Sequence, residues 1–193
     1  MKAQSVDSAR TVSETKTKRI PAIVIVVALL AAFGGIAISA QDRYTVKVPN
    51  GLAFSEFRGY EDWKVVAVSH AESLNLIEVI VANPVMIDAY QAGVHDIGKP
   101  FPDGCKMAKI HWNAIKSAEA PGPTIVPGTL HDIDFMVRDS KRFADSGNWG
   151  YAEFDYASVS DTFTPHGSGT NCGYACHTIV KGKDYVFTGY PKR

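Results

Sequence analysis

From residue 55 onward the chain alternates short apolar runs with turn residues, and this spacing predicts strands more often than helices. Ser55–Val68 (SEFRGYEDWKVVAV) predicts a helical turn containing Tyr60 and Trp63 that runs into a strand over Lys64–Ser69. Leu74–Ala82 is apolar and β-branched and is closed by Asn83-Pro84, which predicts a buried strand ending in a turn. Pro84–Ala92 (PVMIDAYQA) has Pro at the first helical position and Gly93 behind it, the pattern of a short helix. Gly98–Gly104 (GKPFPDG) is dense in breakers and predicts a loop or hairpin turn, after which Cys105–Trp112 reads as a strand. A period of two on that strand puts Cys105, Met107, Lys109 and His111 on one face and Lys106, Ala108, Ile110 and Trp112 on the other. Pro121–Gly128 (PGPTIVPG) predicts an irregular connection. His131–Arg138 alternates Ile133, Phe135 and Val137 with polar residues, as a half-exposed strand does; Asp139–Ala144 predicts a helical turn and Trp149–Tyr156 a further strand. The expected fold class is therefore α+β, a predominantly antiparallel β-sheet with short helices.

The first 40 residues follow a different pattern. A polar stretch ending in Lys16, Lys18 and Arg19 precedes Ile20–Ile38, 19 residues without a charge, and Ser39-Ala40 closes it. Basic, apolar and small-residue regions in that order predict an export signal peptide cleaved near Ala40. The apolar run would span about 28 Å as a helix, so an N-terminal membrane anchor is the alternative for residues 1–40. Either version exports residues 41–193, which read as one domain without repeats or linkers.

Composition narrows the function classes. The chain of 193 residues is 46% hydrophobic and 21% charged, which excludes a disordered or collagen-like chain. Lys+Arg number 20 and Asp+Glu 20, so there is no basic footprint for nucleic acid. The exported part carries 15 basic and 18 acidic residues, a net charge of −3.

The stretch with most chemical content is Asn171–Thr178, NCGYACHT. Cys172 and Cys176 flank three residues and His177 follows directly, one residue longer than the C-x-x-C-H signal of c-type haem attachment. The second cysteine and the histidine are adjacent, as thioether formation and iron ligation require, and a three-residue loop that bulges would return the first sulfur to its place. A Cys172–Cys176 disulfide and a zinc site are the competing readings. Cys105 has no evident partner and is expected to be a free buried thiol. No spacing marks a second iron ligand among Met86, Met107, Met136, His70, His95, His111, His131 and His166, so a five-coordinate iron and one with a sixth ligand both stay open.

Three segments together resemble the cytochrome P460 family over about residues 55–190. They are FPDG followed by CKMAK (Phe101–Lys109), VRDSKRFADSGNW (Val137–Trp149) and CGYACH. The resemblance implies an exported, periplasmic, homodimeric mono-haem c-type protein, rich in antiparallel strand, that works as a haem-dependent oxidoreductase. It implies thioethers at Cys172 and Cys176, iron ligation by His177, and a covalent bond from Lys109 to the porphyrin edge, making haem c into haem P460. Members with that cross-link oxidise hydroxylamine to nitric oxide or nitrous oxide and pass electrons to an external acceptor. Relatives without it, the β-sheet cytochromes c-prime, bind nitric oxide and carbon monoxide without turnover, and a plain electron carrier would need a sixth ligand such as Met107 or Met136. The distal carboxylate of active members has no motif here; Glu78, Asp132, Asp134 and Glu153 are the candidates.

Overall fold

Six strands pair in chain order into one antiparallel sheet, each hydrogen-bonded to the strand before and after it in sequence. The computed structural model describes residues 40–49, 51–167 and 170–193. The segment expected to be a signal peptide or anchor lies almost wholly outside them, and among the described residues no helix is long and apolar enough to cross a membrane.

The strands are β1 (Lys64–Ala71), β2 (Leu76–Ala82), β3 (Lys106–Lys116), β4 (Ile125–Arg138), β5 (Trp149–Ala157) and β6 (Thr162–Pro165). Helix α1 (Pro84–Gln91) begins with the Asn83 side chain accepting from Met86 N–H at 3.1 Å, so cap and Pro set its start together. Helix α2 (Thr170–His177) follows β6, and 3₁₀ turns stand at Phe54–Phe57 and Tyr60–Asp62. The α+β, mainly antiparallel expectation holds.

Period-two alternation sends every central strand to two different surroundings. Ala108 of β3, Ile133, Phe135 and Val137 of β4, and Ala152 and Phe154 of β5 join one core, covered by Phe54, Phe57 and Tyr60. Phe54 meets Phe135 and Phe154 with ring centroids 5.1 Å apart, and Phe57 stacks on Phe135 at 4.1 Å. On the opposite face Ile80, Met107, Met136, Trp149 and Tyr151 pack beneath α1, Phe101, Cys105, Tyr185 and Val186. Cys105 is free and fully buried there, and burial pushes its thiol up to about 12, so it is chemically quiet.

Two expectations need correction. Pro121–Gly128 is not an irregular connection throughout, because β4 already starts at Ile125, where Pro127 pairs with Ala114. Nor is His131–Arg138 half exposed: Asp132, Met136 and Arg138 are buried along with the apolar residues. The alternation is real, but the more polar face turns toward a cavity that the C-terminal segment helps to line, so most of its residues are shielded.

Candidate haem site

The CGYACH stretch does not bulge. It is the body of α2, and a spacing of four places Cys172 and Cys176 one turn apart on the same helical face. Both thiols are free and, with His177, they line a cavity of about 490 Å³, a size suited to a cofactor. The helix can lie this close to β5 because residue 173 is glycine: a Cβ there would stand 2.5 Å from the Cβ of Tyr151.

His177 is fixed by its neighbours. Its ring lies 4.9 Å from that of Tyr151 and 4.9 Å edge-on from that of Phe187. Its Nδ1 is 2.6 Å from the carbonyl oxygen of Tyr185. That oxygen can only accept, so Nδ1 carries the proton and Nε2 keeps a free lone pair, the tautomer a metal ligand needs. Burial pulls the imidazole below its ordinary range despite the Tyr185 carbonyl, which keeps Nε2 unprotonated at neutral pH.

The carbonyl is delivered by a short irregular clamp. Asp184 and Tyr185 both adopt left-handed backbone, at φ 50° and 64°. Two residues with side chains hold this costly conformation because Asp184 is tied down on both sides. Its Oδ2 accepts from Phe101 N–H at 2.8 Å, and its Oδ1 accepts from Arg138 Nη1 at 3.1 Å.

The sheet supplies the rest of the wall. Ile80, Lys109, Asp134 and Glu153 stand in register across β2 to β5, and all four line the cavity with Glu78, Met107, Met136, Tyr151 and His166. Lys109 Nζ is 2.9 Å from Glu78 Oε1, and Ser69 Oγ donates to Glu78 Oε2 at 2.6 Å. Burial would raise the Glu78 carboxyl, but these donors hold it below its usual value. Asp134 behaves oppositely. Its side chain is 37% accessible through the open cavity, yet it sits deep among protein atoms, and that burial pushes its carboxyl to about 7.

A stability prediction follows from Asp134. Its folded value lies above the unfolded one, so the folded state binds the extra proton, and stability falls as pH rises from about 4 through 7. Asp134→Asn is expected to flatten that slope, read as melting temperature against pH for both proteins; parallel slopes would contradict the assignment.

The structure therefore brings Cys172, Cys176, His177, Lys109, Glu78, Asp134 and Glu153 to one cavity. Asp132 lies behind the wall, bonded to His111 and His131. Of the sulfur and imidazole candidates for a second ligand, Met107, Met136 and His166 line the cavity; Met86 is packed in the apolar core, and His95 lies against the Val186 carbonyl. Residues that sequence reasoning missed include Ser69, Tyr151, Tyr185 and Phe187. Alternation on β5 carries the signal for Tyr151, two places from Glu153, whereas a backbone carbonyl such as that of Tyr185 leaves none.

These residues fit a haem. The cavity is lined by free thiols and an open imidazole nitrogen from α2, and the buried hydroxyl of Tyr151, from the sheet, has no hydrogen-bond partner among the described residues. A buried polar atom left unpaired beside a cavity is in keeping with a further group seated there. Comparison with curated proteins finds no match. Comparison with family models matches residues 57–188 to Cytochrome P460, a span that holds the sheet from β1 to β6, Lys109 and the whole of α2. With well over half of its length matched and a cavity built for the cofactor, the chain belongs to the cytochrome P460 family of haem cytochromes.

Proposed function

We propose that the protein is an exported, periplasmic mono-haem c-type cytochrome that oxidises hydroxylamine. The observation that carries the reading is the convergence of Cys172, Cys176 and His177 from α2 and of Lys109, Glu78, Asp134 and Glu153 from the sheet on one cavity. Cys172 and Cys176 are the thioether positions and His177 Nε2 the iron ligand. Bound haem would supply the redox-active iron that takes electrons from the substrate nitrogen toward an external acceptor. The protein is a homodimer, and residues 20–38 export it or tether it.

The chain's own residues manage orientation and protons. Lys109 is the group that bonds the porphyrin edge, and its ammonium must first lose a proton. Glu78, in contact with Lys109 Nζ, is placed to receive it. Hydroxylamine sheds protons as it is oxidised, and Asp134, with a carboxyl near 7, takes and releases protons at working pH. Glu153 stands opposite it on β5, raised by burial, as a second acceptor.

The purified haem protein is expected to consume hydroxylamine with an added electron acceptor and to show a broad, red-shifted Soret band. Lys109→Met is expected to keep the haem, lose the red shift and lose turnover. An unshifted wild-type spectrum with nitric oxide binding but no turnover would replace this reading with that of a gas-binding cytochrome. Sharp six-coordinate bands would replace it with that of an electron carrier.

A further inference from the structure

We propose that Glu78, His111, Asp132 and His131 form a proton route from the cavity wall to bulk solvent. The proposal rests on the haem-site reading; it starts at Glu78, the partner of Lys109, and extends through His111, Asp132 and His131, to which that reading gives no role. Carboxylate and imidazole alternate along the path. Glu78 Oε1 is 3.4 Å from His111 Nε2, His111 Nδ1 contacts Asp132 Oδ1, and Asp132 Oδ2 contacts His131 Nδ1. Glu78 opens on the cavity; the side chains of His111 and Asp132 are each 7% exposed; that of His131 is 49% exposed.

A backbone irregularity completes the path. His111 pairs with Asp132, but Trp112 pairs with Leu130, so His131 is an extra residue bulged out of β4. On a regular strand neighbouring side chains point to opposite faces; the bulge lets those of His131 and Asp132 meet. Structural need alone does not account for such a row. Burying charged and polar groups between strands costs desolvation, and apolar cross-strand pairs would hold this part of the sheet at least as well.

The charges around His111 suit transfer. Glu78 faces it from β2, Asp132 and Asp134 from β4, with Glu153 beyond them on β5 and Lys109 on its own strand. Burial disfavours its charged form, but the Asp132 hydrogen bond and the nearby carboxylates outweigh that, so His111 readily carries a second proton. One outward transfer moves one proton and leaves His111 and His131 in their opposite tautomers, which an inward transfer or a ring flip resets. The proton on Glu78 passes to His111 Nε2, the Nδ1 proton passes to Asp132, Asp132 protonates His131, and His131 releases a proton to water. Uptake runs the same steps backward.

The test uses the ferric haem protein reduced rapidly in weak buffer with a pH-indicator dye, a readout independent of hydroxylamine. Wild type is expected to take up protons as it is reduced. His131→Gln and Asp132→Asn are expected to slow uptake by about tenfold or more, with the absorption spectrum unchanged. Added imidazole restores the rate in the His131 variant, whose site reaches solvent, and not in the Asp132 variant. Wild-type rates in both variants, failure of imidazole to rescue His131→Gln, or no uptake in the wild type would overturn the route. Slowing confined to His166→Gln would also overturn it, placing the exit at the Asp155 and Glu153 side of the cavity, where His166 Nδ1 is 2.8 Å from Asp155. Loss of hydroxylamine turnover with the uptake pattern intact would fault only the assigned reaction.

Discussion

Replacing His177 with alanine is expected to abolish hydroxylamine oxidation while mass spectrometry still finds the porphyrin on Cys172 and Cys176. On the proposed reading the two roles are separable because the sulfurs and the imidazole do different work: the sulfurs would hold the macrocycle, and Nε2 would set the electronic state of the iron. The substitution removes the ring between Tyr151 and Phe187 and the bond to the Tyr185 carbonyl, but His177 ends α2 and leaves its backbone in place. The fold therefore survives. Added imidazole, small enough to enter the vacated space, is expected to recover part of the wild-type absorption spectrum. An unchanged spectrum and full turnover would move the ligand to one of the other cavity residues, Met107, Met136 or His166.

Asp184→Ala has the largest expected effect on stability. The side chains of Asp184 and Arg138 are 10% and 8% exposed, and burial raises the Asp184 carboxyl even with Arg138 and the Phe101 amide beside it. The pair is thus no net source of stability, but removing one member leaves a buried guanidinium uncompensated, at about 3–5 kcal/mol. The loss also frees the Phe101 amide and the left-handed turn that aims the Tyr185 carbonyl at His177. Second-sphere losses of this kind lower activity by about 10–100-fold. The double variant Asp184→Ala with Arg138→Met separates the effects: chemical denaturation is expected to show most of the stability restored, while the iron–imidazole stretching frequency stays displaced. A restored frequency would make Asp184 a packing residue only.

The parts of the site that sequence made legible are those where side-chain chemistry is concentrated in a short run or where strand periodicity decides. CGYACH marks three of the residues that reach the cavity, Cys172, Cys176 and His177, and alternation on β3 is enough to turn Lys109 toward the same face as Met107 and His111. Alternation says which residues share a face, but not what covers that face, which is why the polar side of β4 read as exposed. The inserted residue between the cysteines read as a bulge because a loop was assumed; in a helix, a spacing of four also keeps both sulfurs on one side. The Asp184–Tyr185 clamp was invisible because its active atom is a main-chain oxygen. The β4 bulge was equally hidden, since a bulge exists only relative to the register of the neighbouring strand.

Because strand order equals chain order, each strand can pair as soon as the next one follows it, with no wait for a distant segment. The helix with Cys172, Cys176 and His177, and the turn that steadies it, all come after the last strand. On the proposed reading, maturation is a closing operation: a finished floor would receive the porphyrin, and the tail of the polypeptide would fold over it as attachment proceeds.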